Sequence, residues 1–210
     1  MFAKTLTVLA AISLPSFDGK DAAYIVERMP SSIDREGKVV AAQVIFLISE
    51  KGKVEDCEIE AFIGEEELAS RICEITENRT IGKATDTNGR PMASVLRTVV
   101  IARPNGVRID FKKASQILND KAGRPMGIDM VIDSGEPLRN GKAALILAIN
   151  EQGMVQSCEA EDDTIARERE QELCAAASRR THRVYRTADG GTKRYATMFY
   201  VGFDGAGSKD

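Results

Sequence analysis

The chain of 210 residues has no tryptophan, one histidine and only 5% aromatic residues. Its cores must therefore be built from aliphatic side chains. A single histidine argues against a His-based metal centre and against a Ser-His-Asp triad in either half. The net charge of −3 offers no global attraction for nucleic acid or for an anionic membrane. No apolar stretch approaches the roughly 20 residues that a bilayer-spanning helix needs, so no integral membrane span is expected. The patterns G-x-S-x-G, P-loop, H-E-x-x-H and G-x-G-x-x-G are all missing. No catalytic residue, metal ligand or cofactor is expected, and a non-enzymatic protein is. What is present, 43% hydrophobic and 29% charged residues, belongs to an ordinary folded protein of one or two domains.

The first residues differ from the rest. Lys4 precedes an uncharged run, Thr5 to Leu14, followed by Pro15 and Ser16. That run has the length and order of a signal-peptide h-region. Residues 1–20 are accordingly expected to be a leader, which makes the mature protein an exported one. The alternative is a short buried segment of the first domain in a cytoplasmic protein.

Self-similarity dominates the remainder. Setting Cys57 on Cys158 gives an offset of 101 residues, which also superposes Gly52 on Gly153, Val54 on Val155, Cys73 on Cys174 and Gly89 on Gly190. The apolar runs Val44–Ile48 and Leu145–Ile149 fall in register. Each copy reads as a buried strand, a Gly-containing hairpin turn, a second strand, an amphipathic helix, a Gly turn and a last strand. In the second strand Cys57 and Ile59 share one face, while Val54 is off that parity and belongs to the turn or to a bulge. The fold class expected is α+β, two tandem β-β-α-β units, each an antiparallel sheet with a helix on one face. The expected domains are 21–110 and 131–205, joined by a linker at 111–130 and followed by a tail at 206–210.

Four cysteines allow three pairings. A unit that arose once and was copied should contain its own bond, which favours Cys57–Cys73 and Cys158–Cys174. Each bond would tie the second strand to the helix above it, and disulfides would support an oxidising compartment. The alternative is buried free thiols.

Glu50-Lys51-Gly52-Lys53-Val54, Glu151-Gln152-Gly153-Met154-Val155 and the turn Lys83 to Pro91 (K-A-T-D-T-N-G-R-P) resemble motifs of the TonB family C-terminal domain. That family's order is strand, "d-x-x-G-x-V" hairpin, strand, helix, "PA-x-D-x-x-G-x-P" turn and strand. The likeness covers about residues 30–105 and 130–205, with Ala61 to Gly64 and Asp162 to Thr164 replacing the family's "S-S-G". The resemblance implies a periplasmic protein that binds a protein or peptide partner by adding a strand to an exposed sheet edge, accessory to TonB-dependent transport. The last strands are the candidate edges, through Val95, Arg97 and Val99 in the first copy and Tyr195, Thr197 and Phe199 in the second. The alternatives are that these strands pair with each other or across a homodimer. A further candidate is the basic patch Arg179, Arg180, Arg183 and Arg186, which offers a charge-driven envelope contact or, more simply, a solvated face. Glu159, Glu161, Asp162 and Asp163 read as a solvated loop, and His182 as a surface residue.

Overall fold

All nine residues of Val40–Ile48 (β1) are buried, which requires both faces of that strand to be covered. The computed structural model, which describes residues 11–103, 111–122, 128–133, 142–186 and 190–204, shows how. Ahead of β1 lie helices α1 (Gly19–Val26) and α2 (Ser32–Glu36); after it come β2 (Val54–Ile63), α3 (Glu66–Thr76), β3 (Ala84–Thr85) and β4 (Pro91–Ala102). The second half opens with α4 (Phe111–Ala122) and β5 (Met130–Asp133). It continues through β6 (Lys142–Ile149), β7 (Val155–Ala160), α5 (Arg167–Ser178), β8 (Tyr185–Arg186), β9 (Thr192–Lys193) and β10 (Tyr195–Asp204). The fold is thus α+β, and β1, β2, α3, β4 recur as β6, β7, α5, β10.

The turn chemistry recurs with the elements. Gly52 (φ +83°) and Gly153 (φ +80°) close the two hairpins in a backbone region that disfavours side chains. The Gly52 carbonyl accepts from Ile81 and the Gly153 carbonyl from His182, both at 2.9 Å. In the turn before β4, the Asp86 carboxylate accepts the backbone N–H of Asn88 and Arg90. Those donors hold its pKa below the ordinary carboxylate value. Val54 sits beside the register shift between Leu47 and Ile48, where its expected bulge lies.

The halves do not form two separate sheets. The strand order is β2-β1-β4-β10-β6-β7, a continuous sheet in which β4 and β10 are interior neighbours. Their pairing is parallel, Ala93 to Val95 against Tyr195 to Thr197. The last strands are therefore not edges, and the mutual pairing given as an alternative is what forms. Val95, Tyr195 and Thr197 lie where the two strands pair, with no open edge beside them, and Arg97, Val99 and Phe199 lie beyond that pairing on strands interior to the order. The physical reason is that a long apolar strand leaves fewer unpaired backbone groups when placed centrally.

Joining equivalent strands in parallel turns one copy over about an axis along the strands, and the helices fall on opposite faces. Alternation in β1 records this. Val44, Phe46 and Ile48 pack with Leu68 and Ile72 of α3, whereas Ile45 and Leu47 join the core of Leu173 and Ala177 of α5. Fully burying Ile72 or Leu173 contributes about 2–3 kcal/mol each. The disulfides Cys57–Cys73 and Cys158–Cys174 staple each helix to its strand, with Cα separations of 5.4 and 5.7 Å.

Two segments pack across the expected boundaries. The expected linker 111–130 contains α4, whose fully buried Leu118 packs on the first half against Ala41 and Ala61, beside Val99. Residues 12–20, which fall within the expected leader, touch the rest of the chain: Ile12 and Leu14 pack with Met92, Ala148 and Ala196, Ser13 bridges to Thr85, and Asp18 caps α1. Residues 1–10 and the tail 206–210 lie outside the described residues. Among the described residues no helix is long and apolar enough to cross a membrane.

Candidate functional site

Beyond Thr197 the parallel pair β4 and β10 diverges, because β5 takes over as β10's neighbour at Val201 to Asp204. The divergence opens a cleft of about 250 Å³ on the face that carries α5. Its floor is Val95 and Arg97 from β4 with Tyr195, Thr197 and Phe199 from β10. The segment Arg180 to Tyr185 passes along it as a strap.

The strap is fixed at several points. His182 donates its backbone N–H to Gly153; its Nε2 lies 3.1 Å from the Ala177 carbonyl, and its ring meets Phe199 edge-on at 5.3 Å. A carbonyl only accepts, so Nε2 carries the proton in this arrangement. Tyr195 donates its hydroxyl to the Arg183 carbonyl at 2.7 Å and meets Tyr185 edge-on at 5.0 Å. Burial pushes the Tyr195 phenol pKa upward, so it stays protonated and keeps that donor. Arg183 pairs with Glu58 of β2 at 2.5 Å.

Across the floor runs a polar network. Arg97 lies between Asp129 at 2.6 Å and Glu60 at 3.0 Å, two carboxylates with side chains 9% and 10% exposed. Glu60 also accepts from Gln43 at 2.8 Å. Asp129 accepts the Tyr200 N–H at 2.9 Å and returns its own N–H to the Tyr200 carbonyl at 2.7 Å. Its carbonyl accepts from Arg180 at 3.2 Å. The Thr197 hydroxyl spans the two central strands to the Val95 carbonyl.

Two groups of sequence candidates thus converge. Val95, Arg97, Tyr195, Thr197 and Phe199 line the cleft with Arg180 and Arg183, while Val99 lies with the α4 cluster. Arg179 caps the C-terminus of α5 and Arg186 lies exposed in β8. Neither has an ion-pair partner among the described residues. Sequence reasoning missed Asp129, Glu60 and the strap role of His182. Asp129 stands directly before the apolar Met130-Val131-Ile132, a run that straddles the end of the expected linker and is too short to show a strand's periodicity. Nothing local marks Glu60 or His182.

Arginine at the lip, apolar and aromatic side chains below and a rigid strap make a recess that can hold a chain segment carrying negative charge. Compared with known proteins, the chain matches no family model, no curated protein and no solved structure.

Proposed function

We propose that this chain is a non-enzymatic binding protein of an oxidising, periplasmic compartment, a tandem relative of the TonB C-terminal domain that receives a polypeptide partner. The cleft at the junction of the two halves carries this reading. Its polar groups are occupied in holding the strap and the floor: His182 Nε2, the Tyr195 hydroxyl and the Thr197 hydroxyl each meet a backbone carbonyl. Such groups position a surface, and none is poised as a nucleophile beside a base. The bonding of all four cysteines supports the compartment.

Sheet-edge pairing, with a partner or in a homodimer, remains as a second reading at the true terminal strands. Glu55, Asp56 and Glu58 are exposed along β2, and charge on an edge opposes strand addition. β7, which pairs only with β6 and exposes Gln156, is the less protected edge.

The test is a photo-crosslinking residue placed at exposed Thr181 on the strap, in the native host cell, beside the same residue at exposed Lys20 on α1. A discrete protein adduct from position 181, absent from position 20, is expected. No adduct above the control would remove the cleft as a binding site.

A further inference from the structure

The repeat shows what the cleft lacks. At the 101-residue offset Arg180 corresponds to Arg79, Leu147 to Phe46 and His182 to Ile81. In the first half Arg79 is enclosed. Asp21 accepts from its Nη2 at 2.7 Å and from its Nε at 3.2 Å, and the Tyr24 ring lies 3.7 Å beneath its guanidinium. Phe17, just before α1, stacks on Phe46 at 5.9 Å, and Ile25 is fully buried. The segment Phe17 to Ile25 therefore seals the first half around its strap.

In the second half Leu147 is fully buried as Phe46 is, but among the described residues no carboxylate or ring meets Arg180 as Asp21 and Tyr24 meet Arg79. α4 stands ahead of it as α1 stands ahead of the first half, yet α4 packs on the first half's sheet. Arg180 is left exposed, with the Asp129 carbonyl as its described partner. Arg183, which also lines the cleft, is already paired with Glu58, so Arg180 is the cation that an incoming carboxylate would meet.

We infer that the cleft takes from a partner protein a short segment of the α1 type: a carboxylate to meet Arg180, an aromatic ring one helical turn later, then an aliphatic residue. The inference rests on the binding reading above and names its ligand class. Asp21, Tyr24 and Ile25 supply the precedent, since i and i+3 share one face of a helix. A carboxylate on a guanidinium is a charge-assisted pair with geometric selectivity.

The probe is a capped, fluorescently labelled peptide with the sequence Ser16 to Arg28, titrated against the full chain. Saturable binding is expected, weakened about tenfold or more by Arg180→Glu and unchanged by the remote Arg35→Glu. A peptide carrying Asp21→Lys should recover binding to the Arg180→Glu protein, which also shows that this variant is folded. Absence of saturable binding, or binding indifferent to Arg180→Glu, would overturn the inference, the latter by placing the peptide on the first half in exchange with α1. A concentration-dependent dimer abolished by Arg180→Glu would assign the cleft to a second copy and overturn the partner-protein claim. An adduct from position 181 without peptide binding would refute this ligand class alone, whereas no adduct would remove the binding reading itself.

Discussion

Replacing Gly153 by alanine should separate the two jobs of that residue. Its φ of +80° costs an L-residue about 1–2 kcal/mol, partly offset by the about 0.4–1 kcal/mol gained from a stiffer unfolded chain. A Cβ there would also overlap the His182 carbonyl oxygen. The strap must then move, losing the His182-to-Gly153 hydrogen bond, about 1 kcal/mol, and disturbing a packed contact, about 1–3 kcal/mol. Gly89 has φ +73° but open space where its Cβ would stand, so Gly89→Ala carries only the backbone cost. The expectation is a loss of about 1 kcal/mol for Gly89→Ala and about 3–4 kcal/mol for Gly153→Ala. At about 2–4 °C per kcal/mol for a chain of this size, the second variant should melt roughly 6–15 °C lower. Urea unfolding followed by far-UV circular dichroism, with the disulfides intact and equal m-values, measures both. Equal losses in the two variants would refute the claim that the strap rests on Gly153.

Three further outcomes follow from the packing. A non-reducing peptide map should recover Cys57 with Cys73 and Cys158 with Cys174, and replacing both cysteines of one pair by alanine should cost about 3 kcal/mol in chemical unfolding. Arg97→Met leaves Glu60 and Asp129 close together without their shared cation. It should destabilise by about 3 kcal/mol, the low end for a broken buried pair because a quarter of the Arg97 side chain is exposed. Glu159, whose carboxylate accepts the Ile12 N–H at 2.6 Å, has its pKa raised chiefly by burial, with the Glu170 charge adding to the shift. A raised carboxyl pKa means that the folded state binds the proton more tightly, so stability falls as pH rises from the unfolded value through the folded one. Glu159→Gln should therefore gain melting temperature over the parent protein near neutral pH. That gain should vanish at acid pH, where the parent's own carboxyl is protonated; a gain independent of pH would refute the assignment.

Some of the site was legible before any fold was known, and the division is physical. The helix stripe Leu68, Ile72 and the strand face Cys57, Ile59 are local periodicities. The Gly52 and Gly153 turns need positive φ whatever surrounds them, and Asp86 organises its turn through amides two and four residues away. Asp129 was missed because the four strand residues that follow it, at the end of the expected linker, carry little periodicity. Glu60 acquires its role only from Arg97, which is brought beside it by strand pairing.

The sequence by itself determined the duplication, the order β-β-α-β in each copy and a pairing of cysteines that keeps each bond within its copy. All of these are local, or follow from comparing the chain with itself. Only the tertiary structure decided that β4 and β10 pair in parallel, that this turns one copy over, and that α4 crosses to the first half. Those choices depend on which arrangement buries both faces of the central strands, a sum over distant residues that no single segment encodes. The same choice moved the candidate residues from a sheet edge to a cleft and left Arg180 without the cover that Arg79 has.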